Sequence, residues 1–161
     1  MNHLEMPTLC QGAMETWFQQ VTTEGSRLLR NGVVSKIKPR FVSCNFEEQT
    51  VELAYDVLEW ELNPQNVIHG GIIATAFDTT LGLLCHYYTK PYVVTTVSLN
   101  TAYHKPIFLG DTFYIKARLE FQGRSLCNLM GEAWIKNKTV VAASSSAIFK
   151  VLNEVQNNSL V

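Results

Sequence analysis

The chain has 161 residues, which suits one domain that buries roughly 70% of its extended surface. Hydrophobic residues make up 47% and charged residues 17%, a balance that excludes an intrinsically disordered chain. With 13 basic and 14 acidic residues the formal net charge is -1, so no electrostatic footprint for nucleic acid or an anionic membrane surface follows.

The N-terminus lacks a basic stretch followed by an apolar run, so no signal peptide is expected. Leu9, Ala13, Trp17, Phe18, Val21, Leu28 and Leu29 space as one helix over 9–30, with a break near Gly25 and a stop at Asn31-Gly32. Residues 33–46 are partly β-branched, and Pro39 makes them an edge or bulged strand. In 51–57, Val51, Leu53, Tyr55 and Val57 alternate with Glu52, Ala54 and Asp56, the mark of a half-buried strand. Residues 59–69 hold Asn63-Pro64 and Asn66, a loop.

Residues 69–88 read HGGIIATAFDTTLGLLCHYY, and Asp78 is the only formal charge among them. The run predicts a helix over 70–88, buried on nearly all sides and ended by Lys90-Pro91. A buried, unpaired carboxylate costs several kcal/mol, so Asp78 needs partners or a task. Gly70 and Gly71 each cost about 1 kcal/mol against better helix formers. Lacking Cβ atoms, they open the helix N-terminus to a ligand carbonyl, where free N–H groups and the helix dipole favour negative charge. Threonines, His86 and Asp78 interrupt the run, so no transmembrane span is expected.

Four strands complete the chain. In 93–104, Val93, Val97, Leu99 and Tyr103 share one face, and Thr96, Ser98 and Asn100 the other. In 111–121, Phe113, Ile115, Ala117, Leu119 and Phe121 alternate with polar neighbours. Turns at Gln122-Gly123-Arg124 and Asn137-Lys138 join 111–121, 125–136 and 139–150 as hairpins. Only the tail after Lys150 reads as loose. Helix, two strands, apolar helix, four strands: the order predicts an α+β architecture, a curved antiparallel sheet wrapped around the 70–88 helix. Residues 1–32 form an N-terminal helical extension and 33–151 the main domain.

Cys10, Cys44, Cys85 and Cys127 lie far apart with no CxxC pair, which fits reduced thiols in a cytoplasmic protein. His3, His86 and His104 lack ligand spacing, so no metal site is expected. Ser144-Ser145-Ser146 lacks a GxSxG context and suits small strand packing.

Asn63, His69-Gly70-Gly71, Asp78 on the helix, Tyr103-x-x-Pro106, Gly110-Asp111 and Gly123-Arg124 together resemble the hot-dog fold, closest to acyl-CoA thioesterases of the phenylacetate-degradation type, over about residues 45–150. The resemblance implies hydrolysis of an aryl- or medium-chain acyl-CoA to free acid and coenzyme A. It matches Asp78 to a general base or nucleophile and Gly70 to the backbone N–H that holds the thioester oxygen. It matches Asn63 to an amide that assists there, His69 to a histidine near the leaving sulfur, and Thr96 to a hydroxyl that positions water. The acyl-CoA is the substrate, and no cofactor or metal is implied.

The resemblance further implies a homodimer, or a dimer of dimers, with each site shared between the helix of one subunit and the strand of another. Asp78 lies eight residues beyond Gly70, roughly 12 Å along a helix. That span is too long for one carbonyl, so Gly70 of one chain is expected to meet Asp78 of the other. Lys105 stands where the family often has arginine; it keeps the charge but loses the bidentate fork. Lys105 and Arg124 are candidates for coenzyme A phosphate contacts, with solvated surface charge as the plainer reading. Two rival functions use the same fold: a non-catalytic acyl-CoA-binding regulator, and a dehydratase or hydratase.

Overall fold

A computed structural model describes residues 9–155. His3 and the end of the tail lie outside that range.

The N-terminal segment is three helices, α1 (Gln11–Val21), α2 (Arg27–Arg30) and α3 (Gly32–Ile37), not one helix followed by a long strand. The breaks have local causes. Gly25 and Gly32 take positive φ angles of 86° and 80°. The Ser26 hydroxyl accepts from Leu29 N and starts α2 afresh. Lys38 ends α3 in the left-handed region before Pro39. The β-branched pair Val33-Val34, which suggested a strand, therefore lies in a helix. Only Arg40–Asn45 forms β1, an edge strand with the expected bulge, between Phe41 and Ser43.

β1 pairs with β2 (Thr50–Asp56), and the sheet continues through β4 (Thr112–Gln122), β5 (Leu126–Ile135), β6 (Val140–Val155) and β3 (Tyr92–Tyr103). All pairings are antiparallel, in the order β1-β2-β4-β5-β6-β3. Val51, Leu53, Tyr55 and Val57 are buried as the alternation predicts. The tail is not loose where it is described: β6 runs on to Val155, which pairs with Tyr92.

Two faces differ from simple alternation, each because of a bulge. One sits between Leu119 and Phe121, and Phe121 turns out to solvent. The other leaves Val97 unpaired between Thr96 and Ser98, 57% exposed. Val94 and Leu99 pack on the core instead of Val93 and Val97.

The sheet wraps α4 (Gly70–Thr89), with Phe77, Leu81 and Leu84 fully buried beneath it. This is the hot-dog fold. A buried bond sets the rotation of α4: the Tyr55 hydroxyl meets Thr80 Oγ1 at 2.7 Å and donates to Ala76 O at 3.2 Å. Asp78 lies two residues from Thr80, about 200° around the helix, and so faces away from β2. α4 is not buried on all sides. Gly71, Ala74, Thr75, Asp78, Thr79 and Gly82 form a stripe of mostly small residues that stays partly open.

The N-terminal helices share this core. Met14, Phe18 and Val21 are fully buried, and Phe18 lies against Tyr87 of α4. The Gln11 side chain clips α1 to β1, donating to Cys44 O at 2.9 Å and accepting from Phe46 N at 2.8 Å.

Candidate active site

Asp78 is half-buried on the open stripe of α4, so it is spared the full cost of an interior charge. Thr96 of β3 donates its hydroxyl to Asp78 Oδ1 at 2.7 Å. One oxygen of the carboxylate is thus held, and its direction fixed. Helix and strand here belong to the same chain, which corrects the expectation that they come from different subunits. The inward face of β3 covers its own helix, so Thr96 reaches Asp78 without a partner.

At the start of α4 a second cluster forms. The His69 ring is the N-cap: Nδ1 accepts from Gly71 N at 2.9 Å. That bond assigns the ring proton to Nε2. Tyr103 of β3 donates its hydroxyl to Gly70 O at 2.8 Å. The Gly70 N–H has no protein acceptor among the described residues. It is one of the free N–H groups that every helix N-terminus leaves.

Asn63 supplies another donor. Its Oδ1 accepts from Gln65 N at 2.9 Å and Val67 N at 3.3 Å, which forms a turn and fixes the amide plane. With the oxygen occupied, the NH2 half is left to donate. Asn63, Gly70, Tyr103 and Lys105 line one groove of about 330 Å³. Asp78 and Thr96 line another, of about 350 Å³. One chain therefore separates the donors from the carboxylate, as the helical rise requires.

The two glycines have an additional reason to be glycine. A Cβ on Gly70 would sit 3.1 Å from Tyr103 Cζ, and a Cβ on Gly71 would sit 3.0 Å from His69 Nδ1. Ring packing by the chain itself thus fills the space that a ligand carbonyl alone was expected to need.

Lys105 and Arg124 are not brought together. Lys105 stands in the groove at the start of α4. Arg124 stands at the β4–β5 hairpin, next to Gln122, whose side chain donates to Tyr88 O near the other end of α4. Within one chain they cannot grip the same phosphate.

Sequence reasoning passed over two residues. Tyr103 served as a strand landmark, yet it fixes the helix start. Glu61 reads as loop charge, yet it is buried. Its Oε2 accepts from Leu58 N at 2.9 Å and its carbonyl accepts from His69 N at 2.8 Å, which ties the Asn63 loop to α4. Burial pushes its carboxyl pKa upward, and the Leu58 N–H opposes that shift. No local pattern marks either role, because both depend on long-range packing.

A further concavity, of about 680 Å³, shares no residue with these grooves. It lies on the outer face of the sheet, where Lys116 and Arg118 alternate with buried Ile115 and Ala117. Lys116 sits in register between Glu52 and Glu132, so opposite charges stand across from each other on that surface. The described residues hold no cluster suited to a metal ion, and no helix among them is long and apolar enough to cross a membrane.

Residues 65–142, from the Asn63 loop into β6, match the thioesterase superfamily model. The architecture defines the class as a hot-dog domain, and a stretch just short of half of the chain is similar to the thioesterase superfamily. No curated protein matches the chain. Among solved structures, a Haemophilus influenzae thioesterase is similar at 16% identity and TM-score 0.73, over 94% of this chain and 96% of its own. The E. coli PaaI protein of the phenylacetic acid degradation operon is similar at 17% identity and TM-score 0.70, over 78% and 88%. A Streptococcus mutans protein bound to acetyl CoA is similar at 25% identity and TM-score 0.63, over 73% and 92%.

Proposed function

We propose that the protein is an acyl-CoA thioesterase that hydrolyses an aryl-acetyl or medium-chain acyl-CoA to the free acid and coenzyme A. The observation that carries this reading is the Thr96–Asp78 pair: a carboxylate held by a hydroxyl and open to a groove.

In the proposed reaction Asp78 takes a proton from water as its oxygen attacks the thioester carbon. The Gly70 N–H and the Asn63 amide of a second subunit receive the developing oxyanion. The carbon–sulfur bond then breaks, and coenzyme A leaves as thiolate to be protonated. His69 Nε2–H is the donor nearest the helix start for that proton. Direct attack by Asp78, giving an anhydride that water then cleaves, is the second route. Both use acyl-CoA as substrate and neither calls for a cofactor.

The shared site makes the working unit a homodimer, alone or paired into a tetramer, in the cytoplasm. Two features support it: the donors and the carboxylate sit in different grooves, and β3 ends the sheet with an unpaired edge. The acetyl CoA bound to the Streptococcus mutans relative supports the substrate class.

The test is free-thiol release from a panel of acyl-CoAs spanning short, medium, long and aryl-acetyl groups. Thiol release from at least one member is expected. Binding of acyl-CoA without thiol release would favour a non-catalytic binder, and conversion of an enoyl-CoA or hydroxyacyl-CoA with the thioester intact would favour a hydratase or dehydratase.

A further inference from the structure

We infer that Leu28 and Val34, from the helices ahead of the sheet, form the end wall of the acyl-chain groove and set the chain length it accepts. The inference rests on the proposed thioesterase reading and adds a specificity element to the same site.

The groove that holds Asp78 continues along α4 through Gly82 to His86. These positions are four residues apart, one stripe of the helix roughly 12 Å long. Leu83 from α4, Val94 from β3 and Phe149 from β6 give it apolar surface, interrupted by Thr79, Thr95 and Thr96. At Gly82 a Cβ would lie 3.3 Å from Phe149 Cε1, so any larger residue would press on that ring and narrow the channel.

The two grooves differ in chemistry, and the difference assigns their ends. Lys105 and His104 line the groove at the helix start, which suits the anionic coenzyme A side. Among the described residues, no lysine or arginine lines the groove that leads away from Asp78. An acyl chain whose carbonyl lies at Asp78 gains by running along Leu83, Val94 and Phe149, away from the Lys105 charge. Its volume of about 350 Å³ is at the small end for ligand pockets, which typically run about 300–1,000 Å³.

Leu28 on α2 and Val34 on α3 belong to neither the sheet nor α4, yet both line this groove. Both are partly buried, with surface left facing the open space. The segment that carries them is anchored: the Ser26 hydroxyl caps α2, and α1 is locked into the core by Phe18. The wall is therefore a built part of the domain.

The test compares wild type with Leu28→Ala, Val34→Ala and Leu28→Trp on straight-chain acyl-CoAs from four to sixteen carbons. The readout is the chain-length profile of kcat/KM for thiol release. The alanine variants are expected to move the optimum up by about two to four carbons, and Leu28→Trp to move it down. Each methylene newly seated in the groove raises kcat/KM about fourfold (~0.8 kcal/mol). An unchanged profile in all three folded variants would overturn the inference. If Leu28→Ala fails to fold, Leu28→Phe, which keeps an apolar contact with the core, carries the test by shortening the optimum. If wild type releases no thiol from any substrate, the thioesterase reading fails separately. The groove is then probed by the affinity of non-hydrolysable acyl-CoA thioethers over the same lengths. A length optimum that shifts with the variants keeps the wall, and an optimum that does not shift removes it.

Discussion

Thr96 and Tyr103 lie on one strand, seven residues apart, and both point at α4: Thr96 donates to Asp78 Oδ1 and Tyr103 to Gly70 O. An odd separation in a regular strand would send them to opposite faces. The unpaired Val97 between them restores the face, so one bulge lets a single strand serve both the helix start and the carboxylate two turns on.

Gly70 and Tyr103 are predicted to be coupled. Helix propensity alone would make Gly70→Ala stabilising by up to about 1 kcal/mol. The 3.1 Å approach to Tyr103 Cζ reverses the sign, and Gly70→Ala should cost about 1–3 kcal/mol. Tyr103→Leu alone should cost about 1 kcal/mol for the lost hydrogen bond. In the double variant more than half of the Gly70→Ala penalty should disappear. Urea denaturation of the four proteins checks this, and strictly additive penalties would refute the packing explanation.

His69 acts on α4 through its cap, and the proposed catalytic role and the capping role separate cleanly by substitution. His69→Ala should lower stability by about 1 kcal/mol, because the Gly71 N–H loses its acceptor. His69→Asn restores a side-chain acceptor and should recover most of that loss. If Nε2–H also protonates the leaving sulfur, the Asn variant regains stability but not kcat. Recovery of both together would leave His69 as a cap alone.

Acid should weaken the fold through His86. Burial depresses its pKa most; the bond to Tyr92 O opposes this, and the Lys90 charge adds to the depression. The folded ring thus takes up its proton at lower pH than the unfolded ring, whose ordinary pKa is about 6.5. The contribution is intact above that value and is lost as pH falls from it toward the folded pKa. Thermal midpoints measured from pH 7.5 to pH 5 should fall for wild type and fall less for His86→Gln. Equal slopes would show that other groups govern this range.

A shared site makes a further prediction about mixed dimers. Asn63→Asp keeps the oxygen that Gln65 N and Val67 N bond while removing the donating amide. Losing one such donor should reduce kcat by about a hundredfold or more. Co-assembly of Asn63→Asp with Asp78→Asn should then restore one good site in each mixed dimer, whereas each parent stays impaired. A site contained within one chain would give no recovery above the parents.

Much of this fold was legible because the signals were local and strong. Alternation in 51–57 works because Glu52 and Asp56 keep one face polar while Leu53 and Tyr55 are buried. α4 declares itself by length and apolar character. What stayed hidden was decided by single residues or by distant contacts. Nothing in the letters of Val97 says that it stands outside the ladder. Val33-Val34 favours a strand by propensity, and the turns at Gly32 and Lys38 override it. The same holds at the site. Asp78 is conspicuous as a lone charge, but its Thr96 partner is one of several strand threonines, and Tyr103 and Glu61 gain their meaning only where the chain returns to the helix start.

The central claim is that Asp78 carries the chemistry, and Asp78→Asn tests it most directly. The amide keeps the size of the side chain and an oxygen for Thr96 Oγ1 to bond, but it cannot accept the proton or attack carbon. Measured as thiol release with the best acyl-CoA substrate, kcat should fall about 10²–10⁴-fold, with the melting temperature essentially unchanged. Turnover equal to wild type in a folded Asp78→Asn protein would contradict the account.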